Sequence, residues 1–179
     1  MPDYNDKAFV ELQFNDENKK LIDVFVKSIV PEDMLYYSPE AEHIRGNMSK
    51  ALHCTLYFGL HPSVVDNDEL KEIIEKLKTR ELELGALFYF NGYENLYKVL
   101  SIEVLDQDQE LEILNSEIEE FAQMNRRYKR KRVFQPHLTL AYVKNEYELP
   151  ENIPNKPTKI EFERIAISTV LEFNSKVNS

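Results

Sequence analysis

The sequence predicts an α+β fold made of two similar halves, on three observations. The first is a phrase that occurs twice: Ala-Leu-His-Cys-Thr-Leu-Tyr-Phe-Gly-Leu at 51–60 and Gln-Pro-His-Leu-Thr-Leu-Ala-Tyr-Val-Lys at 135–144. Both are aromatic, β-branched runs of the kind that pair into sheets. The second is the spacing, since His53 and His137 lie 84 positions apart, about half the 179-residue chain. The third is the order of elements, because each half reads as a helix followed by a His-x-Thr strand with further strands around it. Together they describe a duplicated unit with an approximate two-fold axis.

Taken in order, residues 8–14 alternate weakly and read as a first strand. From Asp16 the period changes to that of a helix, with Leu21, Val24, Phe25, Ser28 and Ile29 on one face and Pro31 as the stop. Residues 31–50 are polar and irregular and read as a loop of the length that carries function. After the first phrase, Asp66 and Glu69 resemble a capping box for a helix striped by Leu70, Ile73, Ile74 and Leu77. Strands follow near 82–90 and 97–105 with a turn signal at Asn91-Gly92, and Leu82, Leu84, Ala86, Phe88 and Phe90 fall on one face of the first. The strongest helix spans about 107–125, with Leu111, Leu114, Ile118 and Phe121 inward. A final strand at about 158–170 slips phase between Phe162 and Ile165, which predicts a bulge near Glu163-Arg164. One domain over 1–173 is expected, with 174–179 as a disordered tail.

Composition narrows the function. A formal charge of −10 disfavours duplex nucleic acid as a partner, while a local cationic pocket for a small anion remains compatible with it. Cys54 is the lone cysteine, so it makes no internal disulfide, and strand parity places it on the buried side. The N-terminal stretch carries no secretory pattern and no run is long and apolar enough for a membrane span, so a soluble, cytoplasmic setting without a membrane partner is expected. Sequence leaves the oligomeric state open.

The chemistry sits in the repeated phrase. Side chains alternate across a strand, so His53 shares a face with Thr55, and His137 with Thr139. A single strand histidine is more often structural than catalytic. Two copies, each in an apolar strand and each followed by Leu, point to a site. Two histidines without a neighbouring Cys or carboxylate make a poor zinc set, and neither phrase is a helical His-Glu-x-x-His. No serine sits in a Gly-x-Ser-x-Gly turn. Two imidazoles with two hydroxyls suit phosphodiester chemistry: one neutral His takes a proton from the attacking oxygen and the other, protonated, gives one to the leaving oxygen. The threonine hydroxyls donate to the phosphate oxygens where charge builds. No cofactor or metal is required.

The residues His53-Cys54-Thr55-Leu56-Tyr57-Phe58-Gly59 and Phe134-Gln135-Pro136-His137-Leu138-Thr139-Leu140 resemble the two motifs of the 2H phosphoesterase superfamily, and the order of elements extends the similarity over about 8–171. The resemblance implies a bilobal fold, with mainly antiparallel sheets lining a central cleft and helices outside. It also implies catalysis by His53 and His137 with Thr55 and Thr139 binding phosphate. The substrates it implies are small cyclic phosphodiester nucleotides or oligonucleotides, as 2′,3′-cyclic RNA ends or as the cyclic signals that some phage members hydrolyse against host defence. Gln135 departs from the Arg that bacterial RNA cyclic phosphodiesterases of the family often carry there. Two supporting residues are added. Tyr57 follows Thr55 at strand spacing and is expected on the site face. Arg132 is the best candidate from the basic run 126–132, which has six cations in seven positions. Tyr36, Tyr37, Phe90 and Tyr128 are stacking candidates better read as packing, Glu161 and Glu163 as a solvated edge, and His43 and His61 as incidental. A nucleotide-binding module without turnover, or an RNA-end processing or joining factor, are the other readings.

Overall fold

The two His-x-Thr phrases become the middle of one sheet. The computed structural model describes residues 7–41, 44–124 and 133–177. Seven strands, β1 (Ala8–Gln13), β2 (His53–Leu60), β3 (Glu81–Asn91), β4 (Lys98–Leu105), β5 (His137–Val143), β6 (Lys159–Glu161) and β7 (Arg164–Thr169), form a single sheet in the order β6-β3-β4-β5-β2-β1-β7, antiparallel throughout. Among the described residues four α-helices accompany the sheet: α1 (Asp16–Ile29), α2 (Asp68–Ile74), α3 (Glu110–Met124) and α4 (Val170–Val177). The strand faces carrying Cys54, Leu56, Leu138 and Leu140 pack into one core with Phe25 and Val26 of α1 and Leu114, Ile118 and Phe121 of α3.

The ends of the sheet meet. Strands β6 and β7 stand at opposite edges yet are joined by Phe162-Glu163 alone, so the sheet must curl until its edges are neighbours. Phe162 N–H donates to the Arg80 carbonyl at 3.1 Å and Glu163 N–H to that of Gln13 at 2.7 Å, tying the link to both edges. The phase slip read from the sequence as a bulge is therefore a crossover: one strand was expected, and two are present on opposite halves.

The loop expected at 31–50 is a strap with a structural job. Strands β2 and β5 meet at the Cys54–Leu138 pair and part beyond it. Along the exposed edge of β5, Met48 N–H reaches the Leu140 carbonyl at 2.9 Å, Tyr36 N–H that of Tyr142 at 2.9 Å, and Tyr142 N–H that of Gly46 at 2.8 Å. Buried Asn115 of α3 serves the parted edge of β2, donating from Nδ2 to the Leu56 carbonyl at 2.5 Å. Each half thus satisfies backbone groups that a continuous ladder would have paired.

Other expectations shift by a residue or two. The buried face of α1 is Ile22, Phe25, Val26 and Ile29, an i, i+3, i+4, i+7 set, leaving Leu21 and Val24 exposed. Helix α2 is capped by Asn67, whose Oδ1 accepts from Leu70 N–H, rather than by Asp66. Asn91 stays in β3 opposite Lys98, and the turn is a longer loop closed by Gly92 N–H on the Tyr97 carbonyl. The expected tail is helical through Val177, because α4 continues directly from β7 and carries Phe173 back over the sheet.

Candidate active site

Strands β2 and β5 repeat each other in burial as well as in sequence. Over the first seven residues both run half-buried, buried, half-buried, buried, buried, half-buried, buried. His53, Thr55, His137 and Thr139 occupy half-buried positions of that pattern, and Cys54, Leu56, Leu138 and Leu140 the buried ones. Continuing the Cys54–Leu138 register by one residue either way sets His53 opposite Thr139 and Thr55 opposite His137. The two histidines are then diagonal to each other across the junction.

A bulge follows each His-x-Thr. Thr55 faces Glu11 while Tyr57 faces Val10, the next residue of β1, so Leu56 is one extra on β2. Thr139 faces Ser101 while Ala141 faces Leu100, so Leu140 is one extra on β5. An extra residue reverses the inside–outside parity of all that follows. Tyr57 is accordingly 1% exposed and sits in the core, a correction to the ligand-facing role expected for it. Phe58 takes the site-side position instead, opposite Phe9. Gly59, at φ +106°, adds a second extra residue that lets Leu60 return to the core beside Ala8. On β3 the same device operates between Leu84 and Leu87: Leu82 and Leu84 face the core, Ala86 is exposed, and Phe88 and Phe90 turn to the site instead of sharing one face with the leucines.

The two histidines have matching surroundings. His53 Nδ1 lies 2.8 Å from the carbonyl of Ala51, and His137 Nδ1 lies 2.8 Å from that of Gln135, each two residues upstream. A carbonyl oxygen only accepts, so Nδ1 carries the proton in both rings and Nε2 is the nitrogen left to exchange one. His53 is flanked by Phe9 and Phe173 (ring centroids 6.2 and 4.8 Å), and His137 by Phe88 and Phe90 (6.1 and 4.8 Å). Two phenylalanines per ring restrict its rotation and keep the tautomer-fixing contact in place.

Beyond the histidines the halves differ. In the cross-strand row of His53 lie Gln13 of β1 and Arg164 of β7. They form a chain of contacts: Ser168 Oγ donates to Glu11 Oε1 at 2.7 Å, Gln13 Nε2 donates to the same oxygen at 2.5 Å, and Arg164 Nε donates to Gln13 Oε1 at 2.8 Å. Glu11 is 2% exposed. A pocket of about 170 Å³ opens here, bounded by His53, Gln13, Arg164, Lys19, Lys50 and Phe173. The corresponding row of His137 holds Glu103, whose carboxylate lies over Gly85; a Cβ there would fall 2.5 Å from Oε2.

Cys54 is buried on the far side of β2, and that burial pushes its thiol up to about 12 from the ordinary 9.0, which disqualifies it as a thiolate nucleophile at neutral pH. Among the described residues no group of His, Cys, Asp and Glu is arranged to hold a metal ion, and no helix is long and apolar enough to cross a membrane. Arg132, the basic run, Tyr128 and His43 lie outside the described residues. His61 is exposed and its Nδ1 accepts from Ser63 N–H. Tyr36 stacks on Tyr97 away from the histidines, whereas Glu163 lines the pocket beside His53. Sequence reasoning passed over Gln13, Arg164, Glu103, Phe9, Phe88 and Phe173. One signal was present: Glu11 and Gln13 give the otherwise apolar β1 a polar face.

No protein-family model matches the sequence, and no curated protein matches it. Solved structures do. Escherichia coli LigT complexed with 3′-AMP superposes with a TM-score of 0.61 at 18% identity, over 90% of this chain and 86% of that one. LigT complexed with NADP+ gives 0.61 at 17%, over 91% and 86%. A crystal structure described as a phosphoesterase gives 0.61 at 15%, over 90% and 86%. The likeness is one of fold: a curled antiparallel sheet with helices against it, arranged as in LigT.

Proposed function

We propose that this molecule, having the fold of LigT and a His-x-Thr phrase on each of its two central strands, is a 2H phosphoesterase. It hydrolyses a phosphodiester in a small nucleotide or oligonucleotide by acid–base catalysis between His53 and His137. The observation that carries the reading is the paired Nδ1–carbonyl contact, which leaves two Nε2 atoms on one face, on either side of the Cys54–Leu138 junction. A phosphate seated between them meets one neutral imidazole and one imidazolium. The neutral ring takes the proton of the attacking oxygen as the new P–O bond forms. The imidazolium gives its proton to the departing oxygen as the old bond breaks, and the two rings end with exchanged protonation. Thr55 and Thr139 donate hydroxyl hydrogens to the non-bridging oxygens.

Nucleotides are the substrate class on two grounds. The half-buried Phe88, Phe90 and Phe173 offer apolar faces to a base, and LigT, whose fold is shared, has been crystallised with 3′-AMP and NADP+. A cyclic phosphodiester suits the site best, as a 2′,3′-cyclic end opened by water or as a cyclic oligonucleotide. If the scissile bond is 3′-5′ and a ribose 2′-OH attacks it, 2′-deoxy substitution abolishes turnover; if water attacks, it does not.

The test is a mass-spectrometric screen of 2′,3′-cyclic mononucleotides, RNA ends and cyclic di- and trinucleotides, run with and without EDTA. Turnover that survives chelation and falls at least ~10²-fold in His53→Ala and in His137→Ala is the expected result, with a bell-shaped pH profile. Tight binding without any product would favour the binding-module reading, and joined ends an RNA-joining factor; either would defeat this proposal.

A further inference from the structure

The two halves of the site are alike at the histidines and unlike one strand further out, and that difference bears on the substrate. In the His53 half, adjacent strands place Gln13 and then Arg164 beside the histidine. In the His137 half, the equivalent places hold a carboxylate, Glu103, and the glycine that makes room for it. On the His53 wing the outer position is a guanidinium; on the His137 wing Glu103 stands in its row, and the nearby Lys156 Nζ is engaged on the Gly85 carbonyl at 2.5 Å.

Arg164 is exposed, yet it is held. Its Nε is fixed by Gln13, Gln13 is fixed by Glu11, and Glu11, almost wholly buried, is anchored by Ser168. The inner contact uses Nε, and the two terminal guanidinium nitrogens are a pair that can grip phosphate in a fork. No ion pair engages Arg164 among the described residues. The same pocket is bordered by Lys19 and Lys50, with Glu163 the one other carboxylate at its rim besides Glu11. Two strand spacings, roughly 10 Å, separate Arg164 from His53 at the backbone, which suits a phosphate one nucleoside away from the phosphate between the histidines.

We infer that Arg164, positioned through Gln13 and Glu11, binds a second phosphate on the His53 side of the site, so that the substrate carries at least two phosphates one nucleoside apart. The inference rests on His53 lying against the reacting phosphate, as proposed above. It selects an oligonucleotide, linear or cyclic, over a mononucleoside cyclic phosphate.

Calorimetric titration of the whole protein with 3′-AMP and with adenosine 3′,5′-bisphosphate separates the two phosphates. The bisphosphate should bind at least about tenfold more tightly, as a charge-assisted fork contact implies. Arg164→Gln should abolish that advantage, and Arg164→Lys should restore part of it. A circular dichroism spectrum and thermal midpoint equal to those of the wild type show that Arg164→Gln is folded. Equal affinity for the two ligands, or an advantage that survives Arg164→Gln, overturns the inference whatever the turnover results. If the advantage is present and lost in Arg164→Gln while no cyclic phosphate is hydrolysed, the second-phosphate site stands and the enzymatic reading falls.

Discussion

At the scale of single residues, the two histidines owe their chemistry to a contact that takes no side-chain partner. The carbonyl two residues upstream sets the tautomer in each case, so any residue at 51 or 135 can supply it, Gln135 included. Tyr57 shows how far one residue's neighbours govern its role. Placed by alternation from Thr55 it should line the site; placed by the bulge at Leu56 it fills the core. Tyr57→Ala should therefore lower stability by about 3–5 kcal/mol in urea denaturation while the folded fraction keeps its KM. A raised KM at unchanged stability would return Tyr57 to the ligand.

At the scale of elements, the bulges at Leu56 and Leu140 are the devices that let one strand serve two purposes. Before the bulge, polar residues face the ligand side and apolar ones the core; after it, aromatic and apolar residues close the strand from both sides. The parting of β2 and β5 beyond Cys54–Leu138 follows, and it exposes edge groups that Tyr36, Gly46, Met48 and Asn115 satisfy. Asn115→Leu keeps the branched shape but leaves the Leu56 carbonyl without its donor, which should cost about 1–3 kcal/mol. Wild-type stability in that variant would mean the carbonyl is served by another group.

At the scale of the whole molecule, Cys54 sits under the junction of the halves and reports on their separation. Its thiol should resist iodoacetamide in the native protein and react at the rate of unfolding. Its shift also has a pH consequence. The folded thiol titrates at about 12 against 9.0 for an ordinary one, so its contribution to stability is full below pH 9 and is lost as pH rises toward 12. Between pH 7.5 and 10.5 the wild type should lose about 2 kcal/mol more than Cys54→Ala. Equal losses would mean the thiol ionises in place. Retained turnover in Cys54→Ala is also expected, since the thiol lies on the core side of β2.

The sequence by itself determined the α+β class, most of the helices and strands, and the pairing of each His with its Thr, because those depend on periodicity and alternation within one segment. It also placed Leu111, Leu114, Ile118 and Phe121 on the buried face of α3, where they lie. Tertiary structure alone decided which segments adjoin. A bulge is invisible until the partner strand is known, so Tyr57, Phe88 and Phe90 changed faces without any local signal. Gln13 and Arg164 are 151 residues apart in sequence, and they flank His53 because β7, the last strand in the chain, pairs with β1, the first, beside β2.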